Sequence, residues 1–163
     1  MSAPPTPPAP PAPKIGSLLF CCTLNAVRSP MAEGLAKRLL GTRVYVDSAG
    51  VKREPVDPFV IAALDEIGID IHRHKAKTFD ELIDSSFDMI VTLSPEAHHK
   101  ALELTRIMAC DVEYWPTFDP ALIEEGSREA RMEGYRQLRD QLKTRILRRF
   151  PDLAREDADA AGG

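Results

Sequence analysis

FCCTLNAVRSPMAE, Phe20 to Glu33, joins a nearly continuous apolar run, Ile15 to Cys21, to a stretch with Met31, Leu35 and Leu39 spaced by four. The run suits a strand buried on both faces, and the spacing of four predicts an amphipathic helix. Between them lie Cys22, five intervening residues, Arg28 and Ser29, with Pro30 suited to the first helical position. Thr23, Leu24, Asn25, Ala26, Val27 and Arg28 therefore form a loop at a helix start, where consecutive backbone N–H groups can ring the oxygens of a phosphate-sized anion. Arg28 closes such a ring with a planar pair of charge-assisted hydrogen bonds that Lys cannot reproduce. The Cys22 sulfur at its floor faces the central atom, in a positive field that favours a thiolate. Ser29 is placed both to cap the helix and to donate a hydrogen bond to the sulfur. Cys21 falls one residue too early for the loop and reads as a strand-end core residue.

Outward from this junction the pattern alternates. Arg43 to Ser48 reads as a second strand, and Ile61, Leu64 and Ile67 mark a helix. Phe87 to Leu93 is the third strand, a helical stretch runs through Leu102, and Val112 to Trp115 forms a short fourth strand. Met132, Tyr135, Leu138, Leu142, Ile146 and Phe150 lie on one face of a closing helix whose basic opposite face reads as solvated. Strands alternating with helices imply parallel strands and right-handed crossovers, hence a three-layer α/β sandwich with function at the carboxyl ends of its strands. Ser29-Pro30, Asp57-Pro58, Ser94-Pro95 and Asp119-Pro120 each place an N-cap residue before Pro, and Thr78 with Glu81 adds a capping box. Asp119 has two readings on the residues alone: a helix cap, or a rim carboxylic acid able to protonate a leaving oxygen.

At 163 residues, 44% of them apolar, the chain fits one domain, expected to span 14–152. Residues 1–13, MSAPPTPPAPPAP, read as a disordered polyproline-type tail that can dock on a Pro-binding partner, and 153–163 as an acidic disordered tail. The stretch from Asp152 to Gly163 carries four acids against Arg155, −3 of the net charge of −4, so the body is near neutral, which argues against a nucleic-acid partner. Three cysteines, two of them adjacent, do not make a secreted disulfide framework. With neither a spanning apolar run nor a signal-peptide pattern, a cytoplasmic location and no membrane partner are expected. His72 with His74 and His98 with His99 lack metal-site spacing, so no metal or other cofactor is expected, and His72, His98 and His99 read as surface residues.

FCCTLNAVRSPMAE, VDSAG (46–50), VDP (56–58), GIDIHRHKAKTFD, VTLSPEAH and Asp119-Pro120 together resemble the low-molecular-weight protein tyrosine phosphatase family, which shares its fold with thioredoxin-coupled arsenate reductases. The resemblance covers roughly 15–150 and implies a short four-stranded parallel sheet flanked by helices, with a phosphate loop between first strand and first helix. It also implies Cys22 as nucleophile, Arg28 as oxyanion clamp, Ser29 as donor to the sulfur and Asp119 as general acid. Asn25, Ser48 and His74 resemble the residues that hold the loop in shape. The chain departs from the pattern at Leu24, where glycine is usual, and at Val27, where many members carry a second cysteine. The aromatic residues usual after SAG and after Asp119-Pro120 are replaced by Val51, Lys52, Arg53, Ala121, Leu122 and Ile123. The expected activity is metal-independent hydrolysis of a phosphorylated protein or small phosphomonoester through a phosphocysteine. Arsenate reduction, or phosphate binding by a weakened regulatory module, are the alternatives.

Overall fold

A computed structural model of the chain describes residues 4–5, 15–82 and 86–154. The tails assigned to 1–13 and 153–163 otherwise lie outside the described residues. Four strands, β1 (Ser17–Cys22), β2 (Tyr45–Gly50), β3 (Met89–Thr92) and β4 (Asp111–Tyr114), form one parallel sheet in the order β2-β1-β3-β4. β1 is central, with Cys22 opposite Gly50 on one side and Cys21 opposite Thr92 on the other. Both β1 and β2 run further than their apolar patterns suggest, because this pairing carries the ladder out to Cys22 and Gly50.

The pleat of β1 divides the core in two. Leu18, Phe20 and Cys22 face the larger cluster, which takes residues from α1 (Arg28–Leu40), α2 (Pro58–Asp65) and α4 (Arg128–Arg149). Leu19 and Cys21 face a smaller cluster with Phe79, Phe87 and, from α3 (Pro95–Leu104), Ala97 and Ala101. A buried strand with helices on both faces has no polar side, which is why its sequence does not alternate. Leu18, Phe20 and Leu35 are almost wholly enclosed, and each such side chain contributes roughly 1.5–3 kcal/mol. Met132, Tyr135, Leu138, Leu142 and Ile146 of α4 are all buried, as is Phe150 at its C-cap, and Leu153 and Ala154 add to the same cluster.

Three of the four expected Pro-linked caps are made. Asp57 accepts from Phe59 N (2.9 Å), Ser94 from Ala97 N (3.2 Å), and Asp119 from Ala121 N (3.0 Å) at a 3₁₀ turn, Pro120–Leu122. Ser29 is not a cap. α1 begins at Arg28 behind Val27, without a side-chain cap, and the Ser29 hydroxyl turns to Cys22 and Asn25 instead. Among the described residues no helix is long and apolar enough to cross a membrane.

Candidate active site

At the carboxyl edge of β1, the segment from Val51 to Asp57 lies along the loop and takes up its carbonyls. Val51, Lys52, Glu54 and Asp57 donate their N–H groups to the carbonyls of Cys22 (3.2 Å), Thr23 (2.9 Å), Leu24 (3.0 Å) and Ala26 (2.9 Å). Among the described residues, the N–H groups of Thr23, Leu24, Asn25, Ala26 and Val27 have no protein acceptor. A loop fastened by its carbonyls, with its amides free, is a receptor for an anion. Gly50 permits this close approach, since a Cβ there would meet Lys52 O at 2.3 Å and Asn25 N at 2.7 Å.

Asn25 holds the loop's bend at a left-handed φ of 54°, uncommon for a residue other than Gly. Fully buried, it uses its amide four times. Nδ2 donates to Ser29 Oγ (2.8 Å) and Ser48 Oγ (2.9 Å), while Oδ1 accepts from Lys77 N (3.0 Å) and meets His74 Nε2 at 3.2 Å. Ser48 in turn donates to Glu33 Oε1 at 2.5 Å. Because Ser29 Oγ receives the Asn25 amide, its own hydrogen is left for Cys22 Sγ, 2.9 Å away, and Ser29 N approaches the same sulfur at 3.4 Å. Burial lowers the His74 pKa against the opposing pull of Glu33, and since Asn25 Oδ1 can only accept, His74 Nε2 is the donor in this contact. Asn25, Ser29, Ser48 and His74 therefore form one network that ends on the sulfur.

Arg28 Nη1 donates to the carbonyls of Thr117 (3.0 Å) and Leu93 (3.4 Å), and Nη2 lies 3.9 Å from Asp119 Oδ2. Cys22, Arg28 and Asp119 line one cleft of about 470 Å³ together with Thr23, Leu24, Ala26 and Val27. Such a cleft can grip an oxyanion over a sulfur and set a carboxyl group beside a departing oxygen. Leu24 packs its side chain against the main core and is accommodated at the glycine position.

The other thiols lie elsewhere. Cys21, fully buried on the opposite face of β1, has its thiol pushed well above the ordinary range by burial. Cys110 packs against the same smaller cluster, and burial raises its thiol as well. Ser94, at the end of β3, accepts the Thr23 hydroxyl at 3.0 Å, and Thr23 also reaches Glu96 Oε2 at 3.2 Å. His72 and His99 are exposed, but His98 is not a plain surface residue: it stacks on Tyr114 (4.6 Å) and bonds to Thr92 Oγ1 (2.9 Å).

The sequence reading missed the far wall. Phe59 and Arg131 line the cleft, so an aromatic ring is present, supplied by α2 rather than by the segments after SAG or Asp119-Pro120. The arginine lies four residues before Tyr135 on α4, a spacing that does not single it out among the cations of that helix.

A cysteine beside a loop of free amides at the carboxyl edge of a parallel sheet, with an arginine in the same cleft, marks the chain as a cysteine-centred α/β protein. The model of the Low molecular weight phosphotyrosine protein phosphatase family matches residues 17–158, and the chain belongs to that family. Arsenate reductase 2 of Staphylococcus haemolyticus is 34% identical over 132 residues, covering 80% of this chain and 92% of that protein. A solved arsenate reductase in its phosphate-binding state superposes with a TM-score of 0.66 at 26% identity, covering 85% of this chain and 98% of the other. The low molecular weight protein tyrosine phosphatase from T. tengcongensis superposes with a TM-score of 0.66 at 25% identity, covering 80% and 95%.

Proposed function

We propose that the chain hydrolyses phosphomonoesters, on a phosphorylated protein or a small molecule, through a phosphocysteine at Cys22. The observation that carries this reading is a Cys22 sulfur met by the Ser29 hydroxyl and N–H, at the end of a loop whose amides from Thr23 to Val27 are free, in one cleft with Arg28 and Asp119. The Cys22 thiolate attacks phosphorus, forming the S–P bond while the ester P–O bond breaks. Asp119 gives its proton to the departing oxygen, and Arg28 and the amides hold the equatorial oxygens. Water then attacks the phosphocysteine and gives a proton to Asp119. The S–P bond breaks with its electron pair on Cys22, where the Ser29 hydroxyl and N–H receive the charge.

Arsenate reduction is the second reading, and the identity to the staphylococcal reductase favours it. An arsenate adduct on Cys22 is released as arsenite when a second thiolate attacks the Cys22 sulfur, forming a disulfide and leaving the S–As electron pair on arsenic. Thioredoxin-coupled reductases supply that thiol from a cysteine near the end of the third strand, where this chain has Ser94. Cys21 projects to the other face, and Cys110 packs with it. Any reduction here therefore draws its second thiol from outside the chain.

Turnover of an aryl phosphate without added metal, beside arsenate turnover with thioredoxin and with a small-thiol couple, tests both readings. Hydrolysis without thioredoxin-driven reduction is expected. Phosphate binding with neither turnover would return the chain to a binding module. Thioredoxin-driven reduction lost in Cys110→Ala would overturn the assignment.

A further inference from the structure

Across the cleft from Cys22 stands a second guanidinium that the chemistry above does not use. Arg131, near the start of α4, lies over the Phe59 ring with its guanidinium carbon 5.0 Å from the centroid. Phe59 also stacks on Tyr135, one helical turn later, at 4.9 Å and 21°. Tyr135 is itself fixed, donating to Asp57 Oδ2 at 2.7 Å, while Asp57 Oδ1 accepts from Phe59 N at 2.9 Å. Burial and the Asp57 carboxylate raise the Tyr135 hydroxyl far above its usual range, so it remains a donor. Phe59 and the two α4 side chains thus form a rigid platform, and Asp57 has both oxygens engaged within it.

On this platform Arg131 Nε is buried without a hydrogen-bond partner. Among the described residues no carboxylate pairs with the Arg131 guanidinium. The contrast lies on the same helix, where Arg136 and Arg139 both bind Glu66, at 2.8 and 2.9 Å. Buried polar atoms rarely lack a partner, and one in a side chain that lines a binding cleft calls for an explanation. A guanidinium held over a ring presents its planar fork to a carboxylate with little ordering cost. The other charged groups lining the cleft on this side are Glu54, which is exposed to solvent, and Asp119, which lies beside Arg28.

We infer that Arg131 and Phe59 form a second anion subsite, so that the cleft selects phosphomonoesters carrying a carboxylate beyond the scissile phosphate. The inference rests on the phosphomonoester reading for its first anchor. The carboxylate can belong to a small aryl phosphate or to an acidic residue beside a phosphorylated side chain.

Calorimetric titration of the full chain carrying Cys22→Ser separates these possibilities without turnover. Phenyl phosphate is compared with 4-carboxyphenyl phosphate, and a phosphotyrosine peptide with a neighbouring Asp is compared with its Ala counterpart. The carboxylate-bearing ligand of at least one pair is expected to bind about tenfold more tightly, or ~1.4 kcal/mol. Adding Arg131→Gln brings that ratio to about one, and Arg131→Lys retains part of it, because charge remains while the fork is lost. A gain in the small esters alone identifies a small-molecule source, and a gain in the peptides a protein source; either sustains the subsite. Equal affinities within both pairs, or a ratio unmoved by Arg131→Gln, would overturn the subsite and leave the phosphoryl reading standing. No binding by any of the four ligands would overturn both.

Discussion

Along the loop, Asn25 and Ser29 are fully buried and have every side-chain partner accounted for, whereas across the cleft Arg131 Nε is buried and has none. The loop is over-determined: its carbonyls are strapped by 51–57 and its bend is held by a four-way amide. The wall is a stack of rings and a cation, contributed by two helices and left open toward solvent. On the proposed function, a site built this way holds the Cys22 sulfur rigidly while the far wall can vary, so that chemistry and selectivity can be altered separately.

The largest effects should come from breaking the loop side. Cys22→Ser is expected to lower turnover of an aryl phosphate by about 10⁴-fold or more, as losing a nucleophile does elsewhere. Cys21→Ser, one residue earlier but on the opposite face of β1, should keep most of the activity, and a dead Cys21 variant would reverse the assignment. Asp119→Asn should slow poor leaving groups by about 10²–10⁴-fold and activated aryl esters less. A flat dependence on leaving group would reduce Asp119 to its capping bond with Ala121.

A smaller effect tests the strap. In Gly50→Ala the new Cβ meets backbone rather than flexible side chains, so urea denaturation should show a loss of about 1–3 kcal/mol, accompanied by reduced turnover. Wild-type kinetics in that variant would show that the loop does not depend on the close approach of 51–57.

The smallest effect lies behind the wall, where Glu66 ties α2 to α4. Hydrogen bonds from Arg136, with Arg139 adding to them, hold the Glu66 carboxyl well below its usual range, at about 2. A carboxylate depressed in the folded state stabilises above its unfolded value and loses that contribution as pH falls toward the folded one. Glu66→Gln should therefore cost less than about 1 kcal/mol at neutral pH, since the pair is partly exposed, and the difference should shrink as pH falls from 4.5 toward 2. A gap that widens in acid would show another group at work.

The loop and the parallel order were legible because their signals are local: Cys22 to Ser29 is contiguous, and strand and helix patterns alternate within short windows. Ser29 misled as a cap because a hydroxyl before Pro looks alike whether it serves a helix N–H or a sulfur seven residues back. His98, on α3, was read as exposed because the Tyr114 ring against it comes from a separate element, β4. The far wall was illegible for the same reason on a larger scale. Phe59 and Arg131 are 72 residues apart in the chain, and Arg131 reads along α4 as one of several solvated cations. Only the packing of α2 against α4 sets it apart.

The central position of β1 also governs when the site comes into being. Cys22 ends a strand whose partners, β2 and β3, are made later, and Arg28 is held by carbonyls of Leu93 and Thr117, further along still. Such long-range closures form slowly compared with helix contacts. A chain emerging from the ribosome therefore carries its reactive cysteine from the outset but cannot cradle an oxyanion until β3 and the segment through Thr117 have been added. During that interval the Cys22 thiol lacks the Ser29 hydroxyl, the fastened loop and Arg28, so the sulfur is present well before the groups that surround it in the finished fold.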